Sequence, residues 1–309
     1  MFKNHIIPGT VIALVGSTLA ACAPKPAQTA VAGVALHGRA ELVQQCQNRD
    51  GWSDAAPPAH VFGNVYMVGT CGIVALLVTS DEGHVLIDGA TAEAADSIAA
   101  NIRTLGFKPT DVKILLSSHE HIDHIGGLAA LKKITGAQLL ARAEAKVSLE
   151  TGTYDKNDPQ VSILPPFPAV KVDRLVTDGE NVTVGSLRLT AIATPGHSPG
   201  GTSWTWQSCE GSTCHQVVYA DSLNAVSADE YRFTDHPDYV ATLRASMAKI
   251  GQLEKCDIVL SGHPSLTNLF ERLAGQQPLV DPAGCANYAK AAQDRLATRL
   301  NNEAAKVGP

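Results

Sequence analysis

The 309-residue sequence predicts an α/β layered sandwich. Short apolar, β-branched runs alternate with longer amphipathic runs along the chain, and the last long run presents a single apolar stripe. A composition of 45% hydrophobic and 17% charged residues is ordinary for a globular protein. Helices with one apolar stripe must lay that stripe on a sheet, which gives layers.

The chain opens on Lys3, the apolar run IIPGTVIALVGSTLAA and then Cys22. Residues 1–21 read as a secretory signal peptide. Pro8, Gly9 and Gly16 interrupt the run, and it is shorter than the roughly 20 residues a membrane-spanning helix needs. The LAAC tetrapeptide resembles a bacterial lipobox, which implies cleavage before Cys22 and lipidation of its thiol. Ala23, in place of an acidic residue, resembles outer-membrane sorting. Residues 22–40 then read as the lipid-attachment cysteine and a Pro- and Ala-rich tether, and residues 41–309 as one domain. The expected location is the periplasm, with a lipid anchor in the outer membrane, and the expected state is a monomer.

The formal net charge is -6, and it becomes -7 without the signal because Lys3 is the only charged side chain lost. With no Lys/Arg cluster, such a chain does not suit a nucleic acid, whose affinity comes mainly from neutralised phosphates. A small anionic substrate stays compatible, because a bound cation sets the local field.

Within the domain, HVFGNVYMVG, GIVALLVTS and GHVLIDG read as strands and TAEAADSIAANIRTLG as a helix. VKILLSS is a strand leading to a helix that begins near Gly126. LRLTAIATPGH is a strand ending in a loop, TSWTWQS and HQVVYAD flank the turn EGST, and CDIVLSG is the last strand. The final helix, ANYAKAAQDRLATRLNNEAA, sets Tyr288, Ala292, Leu296 and Leu300 on one stripe.

Six cysteines remain besides Cys22, an even count that suits disulfides in an exported chain. Six cysteines allow fifteen pairings, and local context narrows them. Cys209 and Cys214 flank the hairpin turn; Cys256 heads the last strand and Cys285 the last helix; Cys46 and Cys71 are left for each other.

The densest chemistry lies in SSHEHIDHIGG, where His119, His121, Asp123 and His124 directly follow a buried strand. In an extended segment alternate side chains share a face, so His119 and His121 can grip one ion. As the chain turns into the helix opened by Gly126 and Gly127, Asp123 and His124 can face a second. Imidazole and carboxylate are ligands that zinc prefers. His197 in TPGHSPGG and His263 in LSGHPS follow other strands. His119, His121 and His197 would make a three-histidine site with an open fourth position, and Asp123, His124 and His263 its neighbour.

Over roughly residues 60 to 300 the chain resembles the metallo-β-lactamase superfamily, whose HxHxDH pattern HEHIDH matches in full. GHSPGGTSW, ADSLNAVSADEYRF, HPSLTNLF and the pair Cys256 and Cys285 resemble class B β-lactamases of the third subclass. The resemblance implies an αββα four-layer sandwich, two Zn2+ ions, and hydrolysis of the lactam amide of penicillins, cephalosporins and carbapenems by a metal-bound hydroxide, conferring antibiotic resistance. It makes His119, His121, His197 and Asp123 the catalytic group, with Asp123 also orienting the nucleophile. Asp88, in LIDG, would support the loops behind the metals. Ser222 would contact the substrate carboxylate, with Asn224 as a second contact, although the subclass often has serine there. Tyr231 would line the pocket near the oxyanion. Glu120, a departure from the small residue common in the family, should point away from the two histidines that flank it.

Two other readings compete. A lactonase, glyoxalase-like thioesterase or phosphodiesterase on the same scaffold would use an aspartate such as Asp221 to bridge the metals. A zinc-capturing lipoprotein without turnover would carry a His-rich or acidic tract, and the eleven histidines form none.

Overall fold

The computed structural model describes residues 1–2 and 38–305. Helix α1 (Arg39–Cys46) leads into β1 (Ala59–Phe62), β2 (Val65–Met67), β3 (Leu76–Val78) and β4 (His84–Ile87). Then come α2 (Ala95–Thr104), β5 (Val112–Leu116), α3 (Ile122–Ile125), α4 (Leu128–Thr135), β6 (Gln138–Arg142), α5 (Ala143–Thr151) and β7 (Arg174–Val176). These seven strands pair in chain order into one sheet, antiparallel from β1 to β4 and parallel from β4 to β7.

The second half gives β8 (Asn181–Val184), β9 (Leu187–Ala193), β10 (Thr202–Glu210), β11 (Thr213–Ala220), α6 (Pro237–Gly251), β12 (Ile258–Ser261), α7 (Leu269–Leu273) and α8 (Gly284–Ala305). Its sheet has the order β12-β11-β10-β9-β8, with β12 parallel to β11 and the other neighbours antiparallel.

Strands buried on both faces read as continuous apolar runs, and their alternation sorts the layers. Leu76, Val78, Val85 and Ile87 face a core shared with Leu189, Trp204, Val217 and Tyr219 of the second sheet. Leu77, Leu86 and Leu115 turn the other way, onto Ile98, Ile102, Leu128 and Leu131 of α2 and α4. Val218, Ala220 and Val259 face Leu243, Met247, Tyr288, Ala292 and Leu296 of α6 and α8. The result is the four-layer αββα sandwich. The predicted stripe of α8 buries Tyr288, Ala292 and Leu296, with Leu300 half-buried at its end.

Three disulfides join Cys46 to Cys71, Cys209 to Cys214, and Cys256 to Cys285. Cys209 and Cys214 stand directly opposite in the β10–β11 register, so the hairpin itself brings them together.

Two boundaries differ from the sequence expectation. Arg39 and Ala40, assigned to the tether, belong to α1, and the Arg39 guanidinium donates to the carbonyls of His60 and Val61, which ties it to β1. The helix expected near Gly126 is α4, which begins at Leu128 with Gly127 as its N-cap, and an unexpected single turn, α3, precedes it from Ile122. Residues 3–21 of the expected signal peptide and Cys22 lie outside the described residues.

Candidate metal centre

Every candidate ligand sits at the carboxyl end of a strand, where open α/β sheets place their ligand sites. His119 to His124 follow β5, His197 follows β9, Ser222 follows β11 and His263 follows β12. His121 lies in extended backbone immediately before the single turn of α3 that carries Asp123 and His124. All six side chains cluster, so the three distant stretches converge as the sequence requires.

The donor atoms fall into two sets. Ligand atoms of His119, His121 and His197 lie within 4.8 Å of one another, and all three residues are buried. Beside them Asp123 Oδ2 lies 3.3 Å from His124 Nε2 and 3.4 Å from His263 Nε2, and the two Nε2 atoms are 3.4 Å apart. Four tetrahedral ligands at about 2.0–2.1 Å from zinc stand roughly 3.4 Å from each other, so this triangle is one face of such a site.

Each imidazole is turned by an acceptor behind it. His119 Nδ1 donates to Asp221 Oδ1 at 2.8 Å, His121 Nε2 to Asp158 Oδ2 at 2.9 Å, and His124 Nδ1 to Asp88 Oδ2 at 2.9 Å. His197 Nδ1 donates to the Asn224 carbonyl at 2.9 Å and His263 Nδ1 to that of Gly72 at 3.2 Å. Carboxylates and carbonyls accept, so the outer nitrogens carry protons, and on the neutral rings of His119 and His197 the lone pair faces inward. Nε2 of His119 is buried without a hydrogen-bond partner among the described residues, as an inward-facing metal ligand requires. Gly262 permits the close fit, since a Cβ there would fall 2.3 Å from His124 Cε1.

The electrostatics agree with the donor chemistry. Burial and the neighbouring histidines hold His119 well below the ordinary imidazole value, and burial with His121 brings His197 down to about 3. Both are therefore neutral ligands at pH 7. At the second set burial disfavours a charged His124, yet Asp123 and Asp88 outweigh it and lift that imidazole to about 10. Two carboxylates thus make this a place where a positive charge is favourable.

The supporting residues divide into those expected and those missed. Asp88 accepts from Ser118 N, Ser118 Oγ and Tyr219 OH as well as His124. Glu120 points away from the histidines, as its place between them demands, and accepts from Ser198 Oγ and Gly200 N; burial pushes its carboxyl up. Asp158 and the carbonyls of Asn224 and Gly72 were not singled out from the sequence. A carbonyl has no residue-type signature, and Asp158 lies in an irregular loop some 35 residues beyond the motif.

Two expected substrate contacts are engaged elsewhere. The side-chain oxygen of Asn224 accepts from Arg295 Nε at 2.6 Å, so Asn224 serves the site through its carbonyl. The Tyr231 ring stacks on His236 at 4.3 Å and packs edge-on against Phe233 and Tyr239, which binds it to the protein body. The Ser222 hydroxyl is buried and has no hydrogen-bond partner among the described residues.

A family model for the metallo-β-lactamase superfamily matches residues 68–210. MIM-1, a metallo-β-lactamase from Novosphingobium pentaromativorans, is 51% identical, with a TM-score of 0.84 over 87% of this chain and 99% of that one. The chain belongs to the metallo-β-lactamase superfamily. Within the superfamily its likeness runs to subclass B3: MEM-A1, a subclass B3 metallo-β-lactamase from a soil metagenome library, is 43% identical, with a TM-score of 0.79 over 83% of this chain and 100% of that one. Among curated superfamily relatives, a probable metallo-hydrolase of Burkholderia pseudomallei is 32% identical, and the chain spans 46% of its length.

Asp221 separates this member from the bridging arrangement that a thioesterase or lactonase reading requires. Its Oδ1 takes the outer nitrogen of His119 and the backbone N–H of Ser222, and its Oδ2 turns towards Gly201. Asp221 stands behind a ligand rather than between two sets of them.

Proposed function

We propose that the protein is a zinc-dependent β-lactamase that opens the lactam amide of β-lactam antibiotics, with two zinc ions held by His119, His121 and His197 and by Asp123, His124 and His263. One observation carries this reading: two sets of inward-turned donors lie side by side in a chain half-identical to a metallo-β-lactamase over nearly that protein's whole length. The donors suit zinc, being imidazoles and one carboxylate, with tetrahedral spacing in the second set. When bound, zinc supplies an acidic water near neutral pH and a Lewis acid for the carbonyl.

The chain's own residues do the rest. Burial keeps His119 and His197 neutral, and Asp221 and the Asn224 carbonyl fix their rings. Asp123 is held ionised, because His124 and His263 outweigh the burial that opposes its charge, so its carboxylate can also accept a hydrogen bond from an attacking water and orient it. Ser222 offers a free hydroxyl to the substrate carboxylate.

The proposal extends to place and form: an exported monomer, lipidated at Cys22 and held in the periplasm on the outer membrane, where it confers resistance. Mass spectrometry of the native N-terminus tests the anchor. For the reaction, purified protein should hydrolyse a chromogenic cephalosporin, lose that activity to a chelator and regain it with zinc. A fully zinc-loaded protein that leaves the cephalosporin intact would refute the activity.

A further inference from the structure

The C-terminal helix reaches the loop that carries the outer partners of two of these histidines. Tyr288 OH donates to the carbonyl of Asp221 at 2.6 Å, Arg295 Nε to Asn224 Oδ1 at 2.6 Å, and Arg299 Nη2 to Ser227 Oγ at 2.8 Å. Seven and four residues apart, these three share one face of α8, so a single rigid element grips the loop at three points.

The loop needs gripping. Leu223, between Asp221 and Asn224, has φ +44°, a left-handed conformation that a branched side chain adopts only where its surroundings over-determine it. On one side of Leu223, Asp221 receives His119 Nδ1; on the other, the Asn224 carbonyl receives His197 Nδ1. A shift of this short segment would therefore turn two of the three rings in one set. Arg295 stands at its far end from Tyr288, half-buried, with Nε committed to Asn224 and Nη2 buried without a partner among the described residues.

We propose that Arg295 is a positioning residue for the three-histidine site: by holding the Asn224 side chain it aims the Asn224 carbonyl, the carbonyl aims His197, and the affinity of that site for its metal depends on the chain of contacts. The inference rests on the reading that His119, His121 and His197 hold a zinc ion. It adds a residue that meets neither metal nor substrate and comes from the last helix.

The test compares zinc retention by the wild type and Arg295→Met, titrating each zinc-loaded protein with a chromogenic chelator. One of the two ions should leave the variant about tenfold more readily, while the other keeps its wild-type affinity, because the outer partners of His124 and His263 are Asp88 and the Gly72 carbonyl, outside the loop. Cobalt substitution should show an altered ligand-field spectrum for the weakened site. Asn224→Ala removes the same hydrogen bond but keeps the carbonyl, so it tests the idea independently if Arg295→Met fails to fold. The double variant should release zinc no more readily than either single one. Wild-type retention of both ions by Arg295→Met, or additive losses in the double variant, would overturn the positioning role alone. A wild-type protein that binds no zinc would overturn the metal reading and this inference with it.

Discussion

His121 Nε2 lies 2.9 Å from Oδ2 of Asp158, a buried carboxylate on an irregular loop between α5 and β7. Asp158 Oδ1 accepts from the backbone N–H of Gln160, which fixes the carboxylate before the histidine meets it. Acceptors behind metal-binding histidines set ring orientation and basicity, and their loss typically weakens metal binding about 10–100-fold. Asp158→Ala should therefore weaken zinc binding at the three-histidine site by about that factor, with a smaller loss in Asp158→Asn, which keeps an acceptor. Chelator competition measures it, and unchanged retention in the alanine variant would show that His121 needs no outer partner.

Asp88 does its work as a hub. Four donors converge on it, from Ser118 N at 2.6 Å, Ser118 Oγ at 2.7 Å, Tyr219 OH at 2.7 Å and His124 Nδ1 at 2.9 Å. Its φ of +64° is one that aspartate and asparagine tolerate better than alanine. Asp88→Ala leaves buried donors unpaired in an unfavourable backbone conformation, and it should cost about 3 kcal/mol or more of stability. Asp88→Asn should cost clearly less. Urea denaturation decides the matter, and a loss below about 1 kcal/mol in the alanine variant would contradict the hub.

Much of this architecture was legible because its causes are local. Strand runs such as ALLV and VVYA alternate between two cores, and that alternation is written in their apolar character. HEHIDH places five polar groups where a strand ends, and packing alone gives no reason for them. What the sequence hid depends on tertiary approach. The Asn224 carbonyl and the Asp158 carboxylate become partners only once three loops meet, and the capture of Asn224 by Arg295 depends on how α8 docks. The helix expected near Gly126 is α4, with Gly127 at its N-cap, whereas the single turn of α3 before it is too short to show a periodic pattern.

Ser222 should not act as a nucleophile. Its hydroxyl has no hydrogen-bond partner among the described residues, so no general base is positioned to take its proton, and serine acylation needs that activation. Incubation with a serine-directed β-lactamase inhibitor should leave the intact mass unchanged and the activity undiminished. A stable adduct on Ser222 would demand a different mechanism.

The disulfide from Cys256 to Cys285 spans 29 residues and ties the start of α8 to the start of the β12 segment, whereas Cys209 and Cys214 are only five apart and already opposed in a hairpin. Constraint of the unfolded chain grows with loop length, so removing the first should cost about 3–4 kcal/mol and removing the second about 2 kcal/mol or less. Paired Cys→Ala variants compared by urea denaturation check the order. Equal losses would argue that the hairpin bond contributes more than chain entropy.

Glu303, near the end of α8, makes stability depend on pH. It is buried, accepts from Thr234 N at 2.9 Å and pairs with Arg299 at 2.5 Å. Burial opposes its charge, but Arg299 and the Thr234 N–H outweigh it and hold the carboxyl below its usual range. A carboxyl depressed on folding adds stability above its unfolded value near 4.5, and that contribution is lost as pH falls through the folded value. Glu303→Gln should therefore be less stable than the wild type by about 1 kcal/mol at pH 7, and the difference should shrink as pH drops below about 4. Urea midpoints at the two pH values measure this, and a difference that persists unchanged in acid would mean that Glu303 acts through packing rather than through its charge.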